Sequence, residues 1–121
     1  MTDKTTTIGE LRAAVDAFTA ARDWRQFHNA KDLAISISLE ASELLEEFQW
    51  LDAAEVAETS ANPDSRERIR FELADILVYC LCLSNALDMD MSQAVLEKLK
   101  IAGQKYRQED YRGKARRPGD R

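Results

Sequence analysis

The sequence predicts an all-α fold, a four-helix bundle that assembles as an oligomer. Three observations lead there. No stretch of its 121 residues shows the period-2 alternation of a strand. Apolar residues instead recur at spacings of three and four in four separate segments, as on helices with one buried face. In the third segment, Phe71 to Leu83, every residue is apolar or aromatic except Glu72 and Asp75. One small domain cannot cover a helix that is apolar on all sides, so a second copy of the chain is expected against it.

The elements follow in order. Thr7 and Glu10 form a capping box ahead of Ile8, Leu11, Val15 and Phe18, which predicts a first helix ending near Ala21. Asn29 caps a second helix from Lys31 to about Gln49, with the stripe Ile37, Ala41, Leu44 and Phe48. A short helical turn is expected from Ala53 to Glu58, followed by a loop over Ser60-Ala61-Asn62-Pro63. Asp64 with Glu67 opens the third helix, whose stripe Ile69, Leu73, Ile76, Cys80, Leu83 and Leu87 alternates spacings of four and three. Asp90 caps the fourth, from Met91 to about Tyr106. The domain therefore spans residues 1–106, and the polar, basic, aperiodic stretch 107–121 reads as a flexible tail.

Composition narrows the function. No apolar run reaches the roughly 20 residues of a membrane span, and the first residues lack a signal peptide's order, which places the protein in the cytoplasm, away from membranes. Cys80 and Cys82 point about 200° apart on a helix and read as small buried hydrophobes. His28 is the only histidine, which disfavours imidazole-based metal centres. The net charge is −5, and no Lys or Arg stands between Lys31 and Arg66 while nine acids accumulate there. Such a body repels nucleic acid.

The acids carry the chemistry. Glu40 and Glu43 are three apart on the second helix, and Glu72 and Asp75 are three apart on the third, so each pair projects from one face. The row Ser36, Glu40, Glu43, Glu47 lies one residue before the second helix's apolar stripe. Glu72, Asp75 and Tyr79 lie one before Leu73, Ile76 and Cys80. Both rows flank the seam along which the helices pack, and antiparallel packing brings four carboxylates together. Clustered carboxylates repel one another and favour a bound cation. Hard oxygen ligands select Mg²⁺ or Mn²⁺, and magnesium is commonly held by carboxylates together with substrate phosphates. A nucleotide or another polyphosphate is therefore the expected substrate class, with Glu46 and Glu47 available as outer ligands.

Glu40-x-x-Glu43 followed by Glu72-x-x-Asp75 resembles the paired acidic motif of the MazG-like nucleoside triphosphate pyrophosphohydrolases. The segment Arg22-Asp23-Trp24-Arg25-Gln26-Phe27-His28, with Phe48-Gln49-Trp50, is similar to their dCTP pyrophosphatase branch. The resemblance runs from about Leu11 to Tyr106. It implies Mg²⁺-dependent hydrolysis between the α and β phosphates, giving a nucleoside monophosphate and pyrophosphate, in a homodimer or a dimer of dimers. Carried over residue by residue, it makes Glu40, Glu43, Glu72 and Asp75 the metal ligands. Independently of the resemblance, a water activated by the metal needs a carboxylate to take its proton, and Glu43 is the candidate for that catalytic role. The resemblance places Trp24 and Trp50 at the base and matches Lys98 and Tyr106 to a lysine and a tyrosine of the branch. His28, as a donor or acceptor for the base edge, and Tyr79, in the acidic row, complete the expected substrate-binding set. The tryptophans would stack on the base, His28 would bond its edge, and Lys98 and Tyr106 would hold phosphate oxygens, with Lys105 and Arg112 as further candidates. The chain departs from the family at Ala102, where an asparagine is usual, and at Asn29-Ala30-Lys31-Asp32, where a proline-asparagine pattern is usual. The expected substrate is dCTP or a modified pyrimidine deoxynucleotide. A broad nucleotide-pool cleaner is the alternative within the family, and a non-catalytic helical adaptor is the alternative outside it.

Overall fold

A computed structural model describes residues 1–115, and the end of the expected tail, residues 116–121, lies outside the described residues. Helices α1 (Ile8–Ala21), α2 (Ala30–Glu46), α3 (Ala53–Ala61), α4 (Pro63–Ala86), α5 (Met91–Lys105) and α6 (Gln108–Tyr111) account for the fold, with one 3-10 turn at Arg25–Phe27. No strand occurs among the described residues. The chain divides into two compact units, Met1–Asp88 and the part from Met89 onward.

Each long helix starts where a side chain satisfies its orphan N–H groups. At α1 the box is complete: the Glu10 N–H donates to Thr7 Oγ1 at 3.1 Å, and the Thr7 N–H donates to Glu10 Oε2 at 3.2 Å. Asn29 accepts from the Asp32 N–H at 2.9 Å to start α2, and Asp90 accepts from the Gln93 N–H at 2.8 Å to start α5.

Three boundaries differ from the expected ones. The second helix stops at Glu46, because the chain tightens into turns over Glu47–Trp50 and Asp52 takes an extended conformation (φ −80°, ψ 177°). There Asp52 and Glu55 build a second capping box, so the expected short turn is a full helix reaching Ala61. The expected loop at 60–63 shrinks to Asn62 alone. A residue before proline is pushed out of the helical region, and Asn62 (ψ 125°) uses this geometry to accept from the Asp64 and Ser65 N–H groups at 3.0 and 3.1 Å. Pro63, which has no N–H to satisfy, is thus the first residue of α4.

In the first unit α4, 24 residues long, packs against α2 most extensively and against α1 and α3 as well. Leu33 of α2 is 2% exposed, and Leu81 and Cys82 of α4 are buried with it. Asn85 ties α4 to α1. Its Nδ2 donates to the Arg12 carbonyl at 3.0 Å, and its Oδ1 accepts from Arg12 Nε at 3.1 Å. Both cysteines are free, Cys82 buried and Cys80 half-buried.

The second unit contains α5 and the four-residue α6, which lies inside the stretch expected to be an aperiodic tail. Tyr106 and Tyr111 meet edge to face, with ring centres 5.3 Å apart. No helix among the described residues is long and apolar enough to cross a membrane.

Candidate active site

Helical phase brings the acids of α2 and α4 together. Glu40, Glu43 and Glu72 each offer a carboxylate oxygen, and these oxygens all lie within 4.8 Å of one another. Glu40 Oε2 and Glu72 Oε2 are buried and have no hydrogen-bond partner. A buried carboxylate oxygen without a donor is costly, and a cation supplies what the protein does not. The donor set, oxygen only, suits a hard divalent ion.

The electrostatics agree with that geometry. Burial pushes the Glu40 carboxyl above the usual glutamate range, and contact with Glu43 and the charges of Glu43, Asp75 and Glu72 push it further. Glu72 is raised first by burial, then by the charge and contact of Glu43, then by Asp75 and Glu47. Asp75 thus acts on both glutamates, although it stands outside the three-residue set and is itself exposed. Glu47, expected as an outer ligand, accepts an ion pair from Arg68 Nε at 3.4 Å. That pair links Glu47, the residue that ends α2, to α4 beside the cluster.

The expected base-binding residues are spread along the first unit. Trp24 follows α1 and packs edge-on against Phe18, ring centres 5.9 Å apart, with the Arg22 guanidinium 3.6 Å above the Phe18 ring. Trp50, in the turn after α2, is 86% exposed. Tyr79 is half-buried on α4. His28 closes the 3-10 turn and lines a cavity of about 220 Å³, together with Asp16, Thr19, Arg25, Cys82, Asn85 and Ala86. Lys98 and Tyr106 belong to the second unit, where Lys98 is exposed on α5 and Tyr106 has Lys105 Nζ 5.4 Å above its ring.

Sequence reasoning missed this cavity, and Asp16 in particular. Asp16 and Thr19 stand one residue past Val15 and Phe18 in the α1 stripe. They share a face with each other, but nothing local marks that face as the wall of a cavity. Arg25 Nε and Nη2 donate to Asp16 Oδ1 and Oδ2 at 3.1 and 2.6 Å, a two-pronged pair across nine residues.

Comparison with known proteins agrees on one family. The sequence model of the MazG-like family matches residues 35–120. The dCTP pyrophosphatase 1 of Homo sapiens and that of Rattus norvegicus are each 34% identical over 100 residues, 83% of this chain. The chain spans 59% of the length of these mammalian relatives. Among solved structures, a pyrophosphatase from Archaeoglobus fulgidus superposes with a TM-score of 0.78 at 31% identity, covering 88% of this chain and 98% of its own.

Proposed function

We propose that this chain, which belongs to the MazG-like family, is a divalent-metal-dependent nucleoside triphosphate pyrophosphohydrolase. It cleaves between the α and β phosphates to give a nucleoside monophosphate and pyrophosphate, with dCTP or a modified pyrimidine deoxynucleotide as substrate. The observation that carries this reading is the pair of buried, unpartnered oxygens of Glu40 and Glu72 beside Glu43.

In this reading Glu40, Glu43 and Glu72, with Asp75 one turn away, hold Mg²⁺, and Mn²⁺ can substitute. When bound, the ion offsets triphosphate charge and makes water a better nucleophile. Glu43, the most exposed of the three, accepts the proton of the attacking water. The water oxygen bonds to phosphorus as the bridging P–O bond between the α and β phosphates breaks, its electrons leaving with pyrophosphate. Trp24 and Trp50 stack on the base, the cavity at His28 takes its edge, and Tyr79 lines the path between.

The proposed working form is a cytoplasmic homo-oligomer, a dimer or a dimer of dimers. Phe71, Leu77 and Val78 support it, since α4 leaves each of them exposed. A patch of large apolar side chains facing water is what an interface between copies would cover.

The test is an assay of the pure protein against a panel of nucleoside triphosphates with Mg²⁺, following pyrophosphate and orthophosphate separately. The expected result is pyrophosphate release that stops on chelation. Orthophosphate alone would contradict the proposed bond. No hydrolysis of any substrate would favour the adaptor, and equal rates across bases would favour the broad pool cleaner.

A further inference from the structure

Resting on that reading, we infer that Asp16 selects the base. On the cavity wall its carboxylate accepts a hydrogen bond from the exocyclic amino group of cytosine, and it repels the carbonyl that uracil carries at the same ring position.

The cavity's polar groups leave Asp16 as its strongest open acceptor. The Thr19 hydroxyl donates to the Val15 carbonyl at 2.9 Å. The Asn85 amide is committed to Arg12 through both its oxygen and its nitrogen. Arg25 occupies one position on each Asp16 oxygen, and a carboxylate has about four lone-pair sites, so each oxygen keeps one. The two-pronged contact also fixes the plane of the carboxylate. Its charge reaches the inner wall: burial raises the Cys82 thiol, a contact with Thr19 partly offsets that, and the Asp16 charge raises it again.

The placement fits one nucleotide. Cys82 follows Asp75 by seven residues on α4, two turns or about 10 Å along the same face. Asp75, whose charge acts on Glu40 and Glu72, is at one end of that path and the cavity at the other. An acidic side chain is a natural acceptor for the cytosine amine. A site built to pair a donor rejects an analogue that brings an acceptor, because two acceptors then face each other unpaired.

The experiment compares kcat/KM for dCTP and dUTP in the full chain with Mg²⁺. The native protein should favour dCTP by about tenfold or more. Asp16→Asn, whose amide can turn its NH₂ toward a carbonyl, should lower dCTP and raise dUTP, shrinking the ratio at least about tenfold. Asp16→Ser, which removes the carboxylate without supplying an amide, should lower dCTP alone. A merely structural role would lower both substrates together and leave the ratio unchanged, which overturns the assignment. So does a native preference for dUTP, which needs no variant to fold. Hydrolysis of neither nucleotide, nor of any other triphosphate, overturns the pyrophosphohydrolase reading and the assignment with it. Hydrolysis with an unmoved ratio overturns the assignment alone.

Discussion

Glu40 on α2 and Glu72 on α4 present carboxylate oxygens within 4.8 Å of each other, and each buries an oxygen that nothing in the protein satisfies. Both carboxyls are held above the usual glutamate range, burial being the first cause for each. A raised carboxyl in the folded state keeps a proton that the unfolded chain has released, so its contribution to stability is fully present below the ordinary glutamate value and is lost as pH rises through the raised one. The metal-free protein should therefore be strained at neutral pH. With chelator present, Glu40→Gln or Glu72→Gln is expected to melt at a higher temperature than the native protein at neutral pH. The gap should close as pH falls below the ordinary glutamate range. Thermal melts across pH check this, and a gap that ignores pH would assign the difference to packing instead.

Metal should reverse that strain. A ligand that binds only the folded state stabilises it by about 2.7 kcal/mol at a hundred times its dissociation constant. For a chain of this size that corresponds to a melting shift on the order of 10 °C. Mg²⁺ or Mn²⁺ is expected to raise the melting temperature of the native protein and to do so much less for Glu72→Gln. Glu43→Gln and Asp75→Asn should keep the fold and lose turnover, Glu43→Gln by the roughly 10²- to 10⁴-fold typical of a lost general base. Full activity in either variant would remove that residue from the site.

The acidic register was legible because helical periodicity alone fixes which residues share a face. Glu40-x-x-Glu43 and Glu72-x-x-Asp75 needed only an antiparallel seam to meet. Side-chain reach was not legible, and it is what leaves Asp75 outside the tight set while its charge still acts on the set. The caps at Thr7, Asn29 and Asp90 were readable for the same local reason. At the start of α4 two local signals compete, the acids Asp64 and Glu67 against Asn62-Pro63, and Asn62 is the cap because the residue before proline is held in the extended conformation that a cap adopts. The cavity had no local signature. Asp16 and Cys82 are 66 positions apart in sequence and meet only through the packing of α1 on α4.

That cap has a measurable weight. Asn62 Oδ1 alone accepts from both Asp64 and Ser65 N–H groups. Asn62→Ala is expected to cost about 1 kcal/mol of stability, read as a lower urea midpoint with an unchanged slope. The cap is about ten residues before Glu72 on α4, so KM and kcat per folded molecule should stay the same. A stability change near zero would mean that water replaces the cap.

Trp50 is 86% exposed, so the folded unit gains little from burying it. Trp50→Ala should leave stability within about 0.5 kcal/mol of the native value. If the ring stacks on the base, it does so before and during reaction, and its loss should raise KM while kcat changes little. Stacking worth about 1 to 3 kcal/mol corresponds to a KM rise on the order of tenfold or more. An unchanged KM with a lower melting temperature would assign Trp50 to packing.

The apolar surface of α4 leads to the remaining expectation. Leu77 is 55% exposed and Phe71 56%, on the helix that carries Glu72 and Asp75. Full burial of a leucine side chain contributes about 1.5 to 3 kcal/mol, and a glutamate in the same place would have to bury its charge instead. Leu77→Glu is therefore expected to shift the particle toward 13.8 kDa, the mass of one chain, in sedimentation at fixed concentration, whereas the native protein should sediment as a dimer or larger. If assembly supports the site, the variant should recover activity as its concentration rises and the larger species returns. A native protein that sediments as a single chain while remaining active would show that the exposed face of α4 serves neither assembly nor catalysis.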